Sequence, residues 1–182
     1  CNKARQIGGA LYQTSGYMMV RGCTFKNNAN QYSGGAVATS FVSVVLITNC
    51  NFEGNNASYK GGAGHFMADK ANFINSTFIN NWSGDSGGAI FSEVSVHNGR
   101  QAIISGCVFQ NNTSNRDGGG FYASEHKQMY IWSTVFEFNN AKHSGGSLYY
   151  TTPRGIDATM WNRWEPRVIK IVLGPRNDFL HN

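Results

Sequence analysis

Proline is nearly missing from this chain, three residues in 182, and charged residues make up only 14% of it. No apolar run approaches the roughly 20 residues that a membrane-spanning helix requires. The net charge of +5 is modest, and its lysines and arginines are scattered, with a mild concentration after Arg154. Nucleic-acid binding needs a dense basic stripe with reading residues, so that partner is excluded. Four cysteines leave the redox compartment open. His65 and the pair Glu125-His126 lack ligand spacing to any second cluster, so the sequence calls for neither metal nor other cofactor. Asp and Glu are dispersed, with no recurring pair of the kind that acid–base catalysis uses. The opening Cys1-Asn2-Lys3 does not read as a secretory signal, and the chain is expected to be a mature form or a fragment of a longer one.

What is abundant is glycine, 22 residues, with asparagine and serine punctuating short apolar runs. These residues repeat. A cassette of Phe, Asn three residues on, and a Gly-Gly pair nine residues on begins at Phe25 (with Asn28), Phe52 (Asn55), Phe78 (Asn81), Phe109 (Asn112) and Phe136 (Asn139). Gly8-Gly9-Ala10 stands alone as a sixth pair whose upstream half is missing. The Phe-to-Phe distance runs 27, 26, 31 and 27 residues while the Phe-to-Gly distance never changes. A fixed segment joined to a variable one describes one turn of a coil with one tolerant loop.

Counting back from each Phe gives strict alternation. Met18, Val45, Ala71, Ala102 and Met129 stand seven residues before; Val20, Ile47, Phe73, Ile104 and Ile131 stand five before; Cys23, Cys50, Ser76, Cys107 and Thr134 stand two before. Period two marks strands with one buried face. A further column follows the glycines, with Leu11, Val37, Gly64, Ile90, Phe121 and Leu148. About three short strands per repeat, with no helical segment, predict an all-β fold: a right-handed parallel β-helix of about 26–31 residues per coil over 1–150, with a divergent segment over 151–182 that acts as a cap or return strand. In that fold the Phe column stacks in the interior, the Asn column forms a hydrogen-bonded ladder, and Gly-Gly permits a tight corner.

The cassette, most clearly Phe78-Ile-Asn-Asn81 with Gly87-Gly-Ala-Ile90, resembles the FxxN and GGA(I/L/V) repeats of chlamydial polymorphic membrane proteins. That resemblance covers residues 8–150 and implies a β-helical passenger-like region of a secreted or surface-exposed adhesin. Gly120 and Ser147 replace Ala in the last two copies, and Tyr150–Asn182 does not match.

Candidate sites lie outside the cassette. The 31-residue repeat inserts about five residues in 92–100, where Glu93, His97 and Arg100 are candidates for ligand contact, because loops on rigid scaffolds carry function. Asp85 falls one coil from Arg116, with Asp117 beside it; a solvated ion-pair ladder explains them more simply than catalysis. The outward column Met19, Leu46, Asn72, Ile103 and Tyr130, with Trp132 beside it, is unusually apolar and predicts a face covered by Trp161, Trp164 and 168–173 or by another chain. Cys23, Cys50 and Cys107 share an interior column, and their parallel side chains favour buried free thiols. Five glycosylation sequons occur, at Asn56, Asn75, Asn81, Asn111 and Asn112. The leading reading is a non-enzymatic extracellular or cell-surface rod, adhesive or structural, meeting a protein or glycan partner. A carbohydrate-active enzyme and a subunit of a filament or larger assembly are the alternatives.

Overall fold

The computed structural model describes residues 1–94, 101–151, 170–173 and 178–180. Every strand pairing within them is parallel and joins a residue to its equivalent one coil away. Lys3–Ala4, Ala29–Asn30, Asn56–Ala57, Trp82–Ser83, Thr113–Ser114 and Asn140–Ala141 make one six-stranded sheet. Thr24–Lys26, Asn51–Glu53, Thr77–Ile79, Val108–Gln110, Val135–Glu137 and Asp178–Leu180 make a second. The third sheet carries two strips per coil: the strand after the glycines, and the strand that precedes Phe by four to eight residues. Each coil thus has four strand segments, and the one beyond the three expected is the two-residue strand that follows the ladder Asn, as Ala29–Asn30 follows Asn28.

Three left-handed residues turn each coil. The corner before the Phe strand uses Gly22, Asn49, Asn75, Gly106 and Ser133, and the corner after it uses Asn27, Gly54, Asn80, Asn111 and Phe138, all at positive φ. The first glycine of each Gly-Gly pair supplies the third. Its partner is required for a different reason. A Cβ on Gly35 would overlap the carbonyl oxygen of Gly62, and one on Gly88 that of Gly119, so the pair lets successive backbones touch.

The interior is filled by stacked columns. Phe52, Phe78, Phe109 and Phe136 are fully buried, with neighbouring rings parallel at 4.7–5.0 Å. Phe25 is only partly buried, since its strand is the edge of its sheet. The column after the glycines trades volume with the next inward position: Gly64 is paired with Phe66, Phe121 with Ala123, and the Phe66 ring fills the space that a Gly64 side chain would take. In these two coils the exchange of a small and a large side chain fills the interior without overpacking it.

The asparagines complete the stack. Asn55 donates from its backbone N–H and its Nδ2 to the Asn81 Oδ1 at 2.9 and 3.0 Å, and Nδ2 also reaches the Phe25 carbonyl at 2.9 Å. Asn28, Asn81 and Asn112 repeat the donation to the next coil. Asn2 joins the ladder too, its N–H and Nδ2 reaching the Asn28 Oδ1 at 2.9 and 3.1 Å. The first Gly-Gly pair therefore retains the Asn of its upstream half, six residues earlier as in the other copies. At the far end, Lys170–Leu173 pairs with Gln128–Ile131, and Asp178–Leu180 pairs with Val135–Glu137 so that Phe179 aligns with Phe136. The divergent segment thus contributes two strands in parallel register with the last coil, and with them a Phe of the cassette that irregular spacing hides in the sequence.

Candidate functional site

The long coil departs from the others at one bend of the third sheet. Its strand Ile90–Glu93 continues the columns, so Ser92 points inward and is fully buried while Glu93 points outward. The repeat spacing puts Ser92 in a loop, but pairing with Phe66 and Ala123 makes it part of the wall. His97 and Arg100, the other candidates for loop contact, lie outside the described residues.

Glu93 accepts a hydrogen bond from, or pairs with, the His65 Nε2 at 2.8 Å, both side chains being mostly buried. Burial alone would raise the Glu93 pKa, but the His65 hydrogen bond and the charges of His65, Lys60 and His126 outweigh it and hold the carboxyl below its usual range. The Lys60 ammonium lies 4.1 Å from the centre of the Phe91 ring, which stacks on Tyr122 at 4.5 Å. Phe91, Tyr122 and Tyr149 form an outward aromatic column. Their faces cover one another, so the column works as packing and offers little stacking surface to a ligand.

Behind this outer layer, sequence reasoning missed a buried polar pair. Ser92 Oγ and His126 Nε2 are 3.0 Å apart, both fully buried, and the Tyr150 hydroxyl donates to the His126 carbonyl. His126 Nδ1 is buried without a partner. Burial pulls the His126 pKa down from 6.5 to about 4. The available signal was positional: His126 falls at the bend that other coils fill with Val42 or Ala68. Because the folded chain holds a proton on His126 less readily than the unfolded chain, stability is full above the unfolded pKa near 6.5 and falls as pH drops toward 4. The expected loss is about 2 kcal/mol by pH 5 and about 3 kcal/mol by pH 4. Thermal unfolding measured between neutral pH and about pH 5, above the carboxylate range, checks this, and His126→Gln should flatten the profile in that window.

The remaining candidates separate clearly. Arg116 is 60% exposed and lies 3.8 Å from Asp85 and 3.5 Å from Asp117, a loose surface pairing. Cys50 and Cys107 are buried free thiols, and burial pushes Cys107 up to about 12; Cys23 is exposed instead, on the edge coil. Among the sequons, Asn81 and Asn112 are locked in the ladder, whereas Asn56, Asn75 and Asn111 are exposed. On the apolar outer face Leu46, Ile103 and Tyr130 are partly buried, while Met19 is 72% and Trp132 36% exposed. Of the segment expected to cover it, Trp161 and Trp164 lie outside the described residues. Among the described residues no group of His, Cys, Asp and Glu is arranged to hold a metal, and no helix is long and apolar enough to cross a membrane.

A family profile described as a right-handed β-helix region matches residues 2–162. No curated protein and no solved structure matches the chain.

Proposed function

The chain belongs to the right-handed β-helix family, and from that premise we propose that it is a non-enzymatic, extracellular or cell-surface rod with an adhesive or structural role, of the kind formed by FxxN and GGA(I/L/V) repeats. The observation that supports this reading is that the cassette is consumed internally. Each repeated Phe is a stacking ring, each interior Asn uses its side-chain donors and acceptor within the stack, and each Gly-Gly serves backbone contact. Repetition therefore builds length and rigidity, and recognition is left to the outward positions that vary from coil to coil.

The bend of the long coil beside Glu93, His65 and Lys60 is the proposed contact for a protein or glycan partner. The immobilised chain should retain cell-surface glycans or proteins from a defined panel, and Glu93→Ala should weaken retention several-fold without changing the far-UV circular dichroism spectrum. Turnover of acidic polysaccharides by the chain, lost in Asp85→Ala or Asp117→Ala, would replace this reading with an enzymatic one. Regular lateral or end-to-end contacts in native assemblies would favour a filament subunit.

A further inference from the structure

The apolar outer face has a charge pattern that identifies its occupant. It is built from the outward positions of five in-register strands: Gly16–Arg21, the second half of Val37–Thr48, the second half of Gly64–Ile74, Gln101–Ser105 and Gln128–Trp132. Strands about 4.8 Å apart, each showing three outward residues, give a sheet face of roughly 300 Å², apolar and polar positions together. Met19, Leu46, Ile103, Tyr130 and Trp132 are among its apolar members, and Thr48, Asn72, Gln101, Ser105 and Gln128 are its neutral polar ones. On these five strands its charged members are Arg21 and Lys70, both exposed cations, and the sixth strand of the sheet, Lys170–Leu173, sets Lys170 in register with Gln128 and so in the row of Lys70. Asp69, the nearest carboxylate in sequence, precedes Lys70 at the bend and not on the face.

That pattern gives the face no charge complementarity to a second copy of itself. The same face on a second copy has no carboxylate to receive these cations, which a partly desolvated interface would leave unpaired at a cost. A surface that is apolar beneath and anionic above satisfies both requirements. Tyr130 and Trp132 have the amphipathic rings that favour a membrane interface. Phe41 adds to this: it stands 61% exposed at the bend leading into the face, in a left-handed conformation (φ 56°) that a bulky residue rarely adopts.

We infer that this face is a docking surface for an anionic lipid bilayer, with the apolar side chains at the headgroup boundary and Arg21 and Lys70 on lipid phosphates or carboxylates. The rod then lies along the membrane without crossing it. The assignment rests on the reading of the chain as a surface rod, and adds a lipid contact on a different face from the Glu93 bend.

Flotation of the intact chain with phosphatidylcholine vesicles, with and without phosphatidylserine, tests it. The chain should float with the phosphatidylserine vesicles only, and rising salt should release it. Arg21→Gln with Lys70→Gln should lower partitioning by roughly tenfold or more, and Met19→Asp with Ile103→Asp should lower it at least as far. All four positions point away from the ladder, and an unchanged far-UV circular dichroism spectrum checks that each variant folds. Failure to float with either vesicle overturns the inference, as does flotation that neither double variant alters. Sedimentation of a dimer in the absence of lipid, abolished by Met19→Asp with Ile103→Asp, assigns the face to a second copy and overturns it as well. A chain that ignores vesicles but still binds a glycan or protein through the Glu93 bend loses the lipid assignment alone.

Discussion

Asn81→Ala is expected to be the most damaging single substitution in the stack, lowering stability by about 4–6 kcal/mol. The Asn81 side chain makes four hydrogen bonds: its Oδ1 accepts from the Asn55 N–H and Nδ2, and its Nδ2 donates to the Phe52 carbonyl and the Asn112 Oδ1. All are buried between coils where water cannot replace them. Each bond contributes about 1 kcal/mol net, and each donor or acceptor stranded in the core adds a desolvation cost on top. Asn81→Asp separates hydrogen bonding from packing. It keeps the size and one acceptor, but turns a second acceptor toward the Phe52 carbonyl and the Asn112 oxygen, so at neutral pH it should restore little. Urea unfolding followed by circular dichroism reads both. A loss below about 1 kcal/mol for Asn81→Ala would place its partners in contact with water.

Phe78→Ala is expected to cost about 3–5 kcal/mol, the range for removing a fully enclosed aromatic side chain. Its ring is sandwiched between Phe52 at 5.0 Å and Phe109 at 4.7 Å, with Phe73 edge-on at 6.2 Å. Collapse of the cavity is resisted because the coils above and below are held at strand spacing by the backbone ladder. The same substitution at Phe25, which is only partly buried on the edge strand, should cost distinctly less. Comparing the two midpoints at matched denaturant slope tests whether the column is energetically uniform in its interior.

The fold was legible because stacking forces the same demand on every coil. Positions such as Phe78, Asn81 and Gly88 meet their own copies above and below, so the constraint is printed once per repeat and stands out against variable spacers. Phe179 escaped because 43 residues separate it from Phe136, well outside the rhythm of the other copies, and Asn2 escaped because the matching Phe position, three residues before it, falls ahead of Cys1. The candidate site was much less legible. Glu93 stood out as a charge in an insertion, but its partner His65 is 28 residues away, and nothing in either neighbourhood announces the other. Ser92 and His126 are one coil apart and occur once, so no column exposes them. Cys23 shows the opposite failure: its column is interior in later coils, but the edge coil leaves it exposed.

The irregular repeat lengths have a further use. Pairings that end at Met67, Glu93, Ser124 and Thr151 run side by side, and so do pairings that begin at Lys70, Gln101, Gln128 and Lys170. These two sets of positions flank a single bend, repeated on successive coils. This bend is a row of sockets on a ruler graduated at about 4.8 Å. Foreign peptides spliced between Glu93 and Gln101 and between Ser124 and Gln128 would be displayed side by side, one graduation apart, and copying further cassettes would extend the scale without resetting its zero.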